Sequence, residues 1–270
     1  MARRIAIVSQ KGGVGKTTVS LNLAVAAAEM GWPVLLVDLD PQSGIGMSLA
    51  KGESELGGLA ELLIRACEPS KAVTQTRLPG LRILPRGRLD PIDASEYEQA
   101  IYGPGVLDAA LESIEAEGDL VIIDTPSGLG QVTRAALRLA DFALVPFQTE
   151  AISLRSLGQV LRVIDHVRSN ENPRLTLLGI LPTMVDKQRS GAIDILGEVW
   201  RGFPVLDSII PRAEAYATAS DRGLPVAFST GSTSPEAQRF ALLCGEVLSR
   251  MQRLQPQGGI IEPPIERQLL

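Results

Sequence analysis

The sequence predicts an α/β fold, a doubly wound, mostly parallel sheet with helices on both faces. Short apolar runs typical of strands alternate along the chain with segments whose apolar residues recur at helical spacing. Residues 34–37 and 120–123 are apolar at every position, as expected of parallel strands that are buried on both faces. A glycine-rich loop at residues 11–18 joins the first run to the first helical segment. We therefore expect one sheet between two helical layers.

The individual elements follow from the same patterns. The predicted strands are residues 3–9, 33–38, 81–84, 120–124, 142–147, 175–181 and 204–210. The first helix is expected from Thr17 to about Met30, because Gly31 and then Pro33 end the helical pattern.

Later helices are expected over residues 132–139, 153–168 and 235–254. Ser234 is the predicted N-cap of the last one, with Pro235 in its first position. A chain of 270 residues with 45% hydrophobic residues can bury one sizeable core, so residues 1–254 are predicted to form a single domain. Residues 255–270 contain prolines and glycines that interrupt a helix, and we expect them to form a flexible tail.

Composition excludes several classes of site. Cys67 and Cys244 are far apart and match no metal-ligand spacing, which is typical of reduced cysteines in a cytosolic protein. His166 is the single histidine, so a histidine-based metal centre or catalytic triad is disfavoured.

Charge and hydropathy bear on DNA binding, on membrane insertion and on the cellular location. The net charge is −5 and the pI is near 5.1, so any binding to DNA needs a local basic face. No apolar run approaches the roughly 20 residues that span a bilayer, and no signal segment precedes the first strand. We expect a cytoplasmic protein.

The loop at residues 11–18 reads K-G-G-V-G-K-T-T and is predicted to bind phosphate. Its glycines let backbone N–H groups turn inward, and the positive end of the following helix adds to the attraction. Lys16 can reach the β- and γ-phosphates, and the Thr17 hydroxyl can ligate Mg²⁺. The flanking strand and helix disfavour a chance glycine-rich turn. The nucleotide-binding residues predicted here are Lys11, Gly12, Gly13, Val14, Gly15, Lys16, Thr17 and Thr18.

The second predicted strand leads into two aspartates, Asp38 and Asp40, within the sequence D-L-D-P-Q. Ligands bind at the carboxyl ends of strands in open α/β sheets, and residues two apart on a strand point to the same side. One carboxylate can orient Mg²⁺ or the loop lysine, and the other can position and polarise an attacking water. For Asp40 alone, capping the turn before Pro41 is the alternative.

A third aspartate, Asp124, ends the fully apolar run at residues 120–123. This is the Walker B arrangement, in which the carboxylate holds Mg²⁺, through a water in our interpretation. Small residues are frequent in the following segment, 125–130, which can move when a γ-phosphate leaves, as switch loops do. The predicted metal ligands are Thr17, Asp38 and Asp124.

These three segments resemble motifs of one family. The spelling K-G-G-V-G-K-T-T is similar to the deviant Walker A motif of the ParA/MinD ATPases, D-L-D-P-Q to their A′ motif, and residues 124–130 to their D-x-P-x-x-L-G segment. The resemblance extends over residues 3–254. It implies a deviant Walker P-loop NTPase fold, with ATP and Mg²⁺ as cofactors.

The resemblance also implies roles for single residues. Lys11 matches the signature lysine that reaches across a dimer interface to the partner's ATP. Asp40 matches the aspartate tied to hydrolysis, which leaves Asp38 in a supporting role. The catalytic residues predicted in this way are Lys11, Lys16 and Asp40.

Two further segments resemble those that wrap adenine in ParA proteins, residues 179–186 and 209–226, with Met184 and Pro211 as the contacts. The chain has Ala213 and Glu214 where the family commonly has Asn-Val. In the ParA group, basic residues of the second half bind DNA without sequence preference once the dimer forms. Arg189, Arg212 and Arg222 are the candidates here, although an ordinary solvated surface explains most arginines of this half.

The function implied is that of a ParA-type ATPase that is cytoplasmic and nucleoid-associated. Its ATP-dependent homodimer would bind DNA non-specifically and drive segregation of a plasmid or chromosome, or positioning of a protein cargo. A ParB-like or cargo-adaptor partner would stimulate hydrolysis. The alternatives are a MinD-like ATPase at the membrane, against which the tail argues, and a scaffold clamped by ATP with little hydrolysis. A reductase of the nitrogenase type would need cluster-ligating cysteines.

Overall fold

The structure is a computed structural model, which describes residues 2–42, 45, 57–64, 66–149, 153–186 and 202–254. Its strands are β1 (Arg3–Ile7), β2 (Val34–Asp38), β3 (Thr74–Gln75), β4 (Leu81–Leu84), β5 (Leu120–Asp124), β6 (Phe142–Gln148), β7 (Thr176–Val185) and β8 (Ile210–Pro211). Within the described residues they form one sheet with the order β3–β4–β2–β5–β1–β6–β7–β8.

The helices lie between these strands in the chain. They are α1 (Lys16–Glu29), α2 (Leu59–Leu63), α3 (Pro69–Ala72), α4 (Ala94–Tyr102), α5 (Val106–Glu112), α6 (Gln131–Leu139), α7 (Ser153–Asn170), α8 (Glu214–Asp221), α9 (Val226–Thr230) and α10 (Pro235–Arg253). Ser234 caps α10 as predicted, because its hydroxyl accepts the Ala237 N–H at 3.2 Å.

The sheet is doubly wound, which confirms the predicted fold class. β1 pairs in parallel with β5 on one side and with β6 on the other, and the chain adds strands first on one side of β1 and then on the other. The described pairings are parallel except that of β3 with β4. The topological switch therefore lies beside β1, where ligands bind in this class of sheet.

Both faces of the sheet are covered, as the continuous apolar runs predicted. Leu35 and Val37 of β2 belong to a core shared with α4, α5, α6 and α7, whereas Val34 and Leu36 belong to a core shared with α1 and α10. Successive side chains of a strand point to opposite faces, so a strand between two helical layers is apolar throughout. Helix α1 is buried along most of its length, which explains its small and apolar residues.

Several details differ from the sequence prediction. Residues 204–210 do not form one strand: Val205 makes an isolated bridge to Ile180, and β8 is limited to Ile210–Pro211. The short antiparallel strand β3 was not predicted. Asp40 lies beyond the end of β2, so it does not share a strand face with Asp38.

Some predictions fall on parts of the chain outside the described residues. These are Arg189 and the tail at residues 255–270. Within the described ranges, no helix is both long enough and apolar enough to cross a membrane.

Candidate nucleotide-binding site

The glycine-rich loop connects the carboxyl end of β1 to the first turn of α1. Gly13 and Gly15 have φ values of 74° and 87°, in the left-handed region that glycine adopts without strain. Gly15 is the residue that precedes α1, so the N–H groups of its first turn face the loop. The Thr183 hydroxyl, at the end of β7, donates to the Val14 carbonyl at 2.9 Å and fixes the loop from the other side. This geometry is that of an anion-binding loop.

Lys16 occupies the first position of α1 and is buried, with 6% of its surface exposed. Its Nζ donates to Ser127 Oγ at 2.9 Å, which connects the loop to the segment after β5. Burial lowers the pKa of Lys16, while the charges of Asp124 and Asp40 oppose that shift. The ammonium group is therefore aimed into a site whose carboxylates favour its charged form.

Asp124 accepts two hydroxyl hydrogen bonds from α1. Thr17 Oγ1 donates at 2.8 Å and Ser20 Oγ at 2.7 Å, so both carboxylate oxygens are engaged. Burial raises the pKa of Asp124 to about 6, and these two hydrogen bonds act in the opposite direction. A hydroxyl beside a carboxylate is a set of oxygen donors that Mg²⁺ prefers. The residue missed by the sequence analysis is Ser20, which lies one helical turn after Thr17 and therefore on the same face.

Asp38 lies next to Asp124, because β2 and β5 pair in parallel with these two residues in register. Its side chain is fully buried, and its oxygens accept the N–H groups of Asp40 at 3.0 Å and Ile45 at 3.2 Å. Burial, then the charge of Asp124, raises the pKa of Asp38 to about 7. Asp38 thus shapes the turn that follows β2.

Asp40 is half-buried in that turn. Its Oδ1 accepts the Gln42 N–H at 2.8 Å, so the turn-capping geometry considered from the sequence is present. The side chain nevertheless lies close enough to the site for its charge to act on Lys16. Capping and catalysis are compatible here, since one oxygen holds the turn and the second can accept a hydrogen bond from a water.

Lys11 lies at the start of the loop and is half-exposed, in contrast to Lys16. Its carbonyl accepts the Ser9 hydroxyl at 2.9 Å, while the Ser9 carbonyl accepts the Gly128 N–H at 3.1 Å. The start of the loop is thereby connected to the 125–130 segment through the hydroxyl and the carbonyl of Ser9. Ser9 is a second residue that sequence reasoning missed.

Met184 and Pro211 line one cavity beside the loop, with a volume of about 350 Å³. Its other walls include Gly15 and Thr18 of the loop and Tyr216 of α8. Met184 has a left-handed φ of 50°, at an irregularity in the pairing of β7 with β8. Non-glycine residues in this region are uncommon and concentrate at binding sites. The structure brings both predicted base contacts to the same pocket.

The candidate DNA-binding arginines are not equally placed. Arg212 is exposed at the rim of the cavity, and its N–H donates to the Val185 carbonyl at 3.2 Å. Arg222 is exposed at the C-terminal end of α8. The two therefore flank one short helix. Arg189 lies outside the described residues.

Raising the pH from 5 to 8 should destabilise the protein when it is free of nucleotide and Mg²⁺. Asp38 and Asp124 have folded-state pKa values above those of unfolded aspartate, so the folded chain binds more protons in this range. The stability that each protonated carboxyl contributes is fully present below the pKa of unfolded aspartate. It is lost as the pH rises to the folded-state pKa, which is about 6 for Asp124 and about 7 for Asp38. Between the unfolded-state and the folded-state pKa of each carboxyl, one pH unit changes the free energy of unfolding by about 1.4 kcal/mol, and above the folded-state pKa the slope vanishes.

Urea unfolding at several pH values measures this effect. The Asp38→Asn variant removes one of the two titrating groups and should show a shallower decline with pH. An equal slope in the variant and the parent protein would contradict the assignment to Asp38.

The chain is similar to several known proteins. A family model described as an AAA domain matches residues 2–177. The chromosome partitioning protein ParA of Caulobacter vibrioides is 36% identical over 263 residues, which cover 95% of this chain and 98% of the relative. The chromosome-partitioning ATPase Soj of Thermus thermophilus is 36% identical over 257 residues, which cover 93% and 97%.

A solved structure of similar shape is cobyrinic acid a,c-diamide synthase from Mycobacterium smegmatis with bound ADP and magnesium. It has a TM-score of 0.76 and 33% sequence identity, and the match covers 97% of this chain and 100% of that one. The residues matched by the family model include the loop that holds Lys16 and the strand that ends in Asp124. The chain therefore belongs to the ParA/MinD family of deviant Walker A ATPases.

Proposed function

We propose that the protein is a ParA-type ATPase that uses ATP and Mg²⁺ and acts as a nucleotide-dependent dimer on DNA. The observation that carries the ATPase assignment is the convergence of Lys16, Thr17 and Asp124 at the carboxyl end of the sheet, with Asp40 in the adjacent turn. The solved relative with bound ADP and magnesium supports the choice of cofactors.

Each side chain has a task that its position allows. Lys16 binds the β- and γ-phosphates together with the N–H groups of the loop. Thr17 and Asp124 would hold Mg²⁺, which supplies charge neutralisation between the phosphates when bound. Asp40 orients the attacking water and accepts its proton. The base lies in the cavity lined by Met184 and Pro211.

Hydrolysis is coupled to conformation through the segment at residues 125–130. Ser127 binds the Lys16 ammonium, and Gly128 binds the Ser9 carbonyl next to Lys11. A phosphate group that binds Lys16 would compete with Ser127 for its ammonium group. It would thereby act on the 125–130 segment, which is also hydrogen-bonded to the start of the loop. We infer that this connection favours the dimer, in which Lys11 reaches the partner's nucleotide.

The proposed partners follow from the relatives. The ParA and Soj proteins are chromosome-partitioning proteins, which supports segregation or positioning of a cargo on the nucleoid in the cytoplasm. Exposed Arg212 and Arg222 are the described candidates for contact with DNA phosphates, and a ParB-like or adaptor protein would stimulate hydrolysis.

The protein should bind random duplex DNA with ATP and much more weakly with ADP, because the dimer doubles the number of phosphate contacts on one face. Affinity should fall steeply with salt, and replacement of one contacting arginine by alanine should reduce the logarithmic salt slope by about one. Fluorescence anisotropy across salt concentrations, together with a phosphate-release assay, measures both activities.

Lys16→Ala is the control, since it should lose nucleotide binding and therefore both activities. Equal DNA binding with ATP and ADP, or none at low salt, would contradict the DNA-dependent part of the proposal and favour action at a membrane. Nucleotide binding without phosphate release under any condition, including added DNA and candidate partner, would indicate a scaffold clamped by ATP.

A further inference from the structure

The turn that follows β4, residues 85–88, contacts the segment that carries Asp40. Arg86 Nη1 donates to the carbonyl of Pro41, and Arg86 Nε donates to the Gly87 carbonyl at 3.1 Å. Pro41 lies between Asp40 and Gln42, whose N–H holds the Asp40 carboxylate. One guanidinium group therefore bridges the 85–88 turn and the residue next to Asp40.

The backbone of this turn is fixed by the start of α2. The N–H groups of Leu59 and Ala60 donate to the carbonyls of Pro85 and Arg86, both at 2.8 Å. A Cβ added to Gly58 would lie 2.4 Å from the Gly87 nitrogen, so the two chain segments touch through their backbones. Arg86 thus extends from a support that has little freedom to shift.

The Glu61 side chain of α2 also restrains the 85–88 turn. Its Oε2 accepts the Gly58 N–H at 2.8 Å and its Oε1 accepts the Arg88 N–H at 3.0 Å. Gly87 has a φ of 85°, and an added Cβ there would meet the Glu61 carboxylate at 2.1 Å. One carboxylate therefore ties the end of the turn at Arg88 to the start of α2 at Gly58.

A buried tyrosine on α4 lies within the field of the same charges. Tyr97 is 5% exposed, and burial followed by the charge of Asp38 raises the pKa of its phenol well above the ordinary value, while Arg86 opposes the shift. The Tyr97 hydroxyl has no hydrogen-bond partner among the described residues. α4 therefore lies close enough to the Arg86 turn for the guanidinium charge to act on Tyr97.

We propose that Arg86 is a positioning residue for hydrolysis: it holds the Pro41 carbonyl and thereby fixes the direction of the Asp40 carboxylate. The inference rests on the proposed ATPase function. Asp40 stands beyond the end of β2, and its N–H donates to the Asp38 carboxylate, so its position depends on side-chain contacts of this kind. A general base that is displaced by about 1 Å loses roughly 100-fold in rate, so the restraint has a kinetic consequence.

The Arg86→Ala variant should lower kcat for ATP hydrolysis by roughly 10- to 100-fold and leave the affinity for a fluorescent ATP analogue within about twofold. Arg88→Ala is the matched control. It removes the same positive charge two residues further along the chain, from a side chain that pairs with Glu61 at 3.8 Å. Arg86→Lys keeps a donor and should recover part of the rate.

A second measurement does not depend on catalysis. Hydrogen exchange of the Gln42 amide, followed by mass spectrometry without nucleotide, should be several-fold faster in Arg86→Ala than in Arg88→Ala, since the turn loses its restraint. Exchange and kcat that match those of Arg88→Ala would overturn the proposal. If Arg86→Ala does not fold, equal kcat and equal exchange in Arg86→Lys and Arg86→Met would overturn the proposal, because methionine has no donor for the Pro41 carbonyl.

The two hypotheses fail in distinguishable ways. If the parent protein hydrolyses no ATP, the proposed function is contradicted. If the parent hydrolyses ATP and Arg86→Ala does so at the same rate, only the role of Arg86 is contradicted. In the Asp40→Asn background, Arg86→Ala should add little further loss of kcat, because both changes act through the same carboxylate. Fully multiplicative losses would show that Arg86 acts elsewhere.

Discussion

Replacing Asp40 by alanine should lower the rate of ATP hydrolysis by roughly 10²- to 10⁴-fold, the contribution typical of a general base. Nucleotide binding should persist, because the proposed phosphate contacts of Lys16 and the loop are unchanged in this variant. The variant should accumulate as an ATP-bound dimer that stays on DNA. Single-turnover phosphate release and sedimentation with ATP measure the two effects.

Asp40→Asn is the matched control for the structure of the turn. The asparagine oxygen can still accept the Gln42 N–H, which Asp40 holds at 2.8 Å, but the side chain no longer accepts a proton. Loss of hydrolysis in both variants would support a chemical role. Normal hydrolysis in Asp40→Asn with loss only in Asp40→Ala would reduce Asp40 to a turn-capping residue.

The second large effect is expected at Lys11. Lys11→Ala should abolish ATP-dependent dimerisation and, with it, hydrolysis, while nucleotide still binds. The reason is the difference in position between the two lysines: Lys16 is buried in the site, and Lys11 is half-exposed at the start of the loop, where a partner subunit can be reached. Analytical ultracentrifugation with a non-hydrolysable ATP analogue measures the dimer.

Lys16→Ala distinguishes loss of the dimer from loss of nucleotide, since it should bind neither ATP nor ADP. Lys11→Arg keeps the charge and should restore part of the dimerisation if charge alone is required. A normal ATP-dependent dimer of Lys11→Ala would exclude the role in trans.

Much of the architecture was readable from local pattern. Residues 34–37 and 120–123 are apolar at every position because both faces of the sheet are covered, and the structure shows those two cores. The start of α10 follows from Ser234 and Pro235, whose effects are confined to one helical turn. The prediction of one strand over residues 204–210 was wrong. The apolar residues of this segment suit a strand, but its pairing with β7 is limited to Val205 and to β8.

In the candidate site, too, some features followed from the sequence and others did not. The order of Lys16, Asp38, Asp40 and Asp124 along the chain was sufficient to predict that they converge, because the carboxyl ends of parallel strands meet at one edge. The pairing of Ser20 with Asp124 and of Ser127 with Lys16 was not predicted, since a serine by itself carries no signal of a partner.

The sequence by itself thus determined the fold class, the phosphate loop and the family, all of which depend on short-range spacing. Only the tertiary structure decided that Arg86 reaches Pro41 and that Asp40 caps its own turn outside β2. The physical reason is that a hydrogen bond between residues 45 positions apart depends on which strands become neighbours. Hydrophobic periodicity specifies which faces are buried, but the neighbours of each strand are selected by packing over the whole sheet.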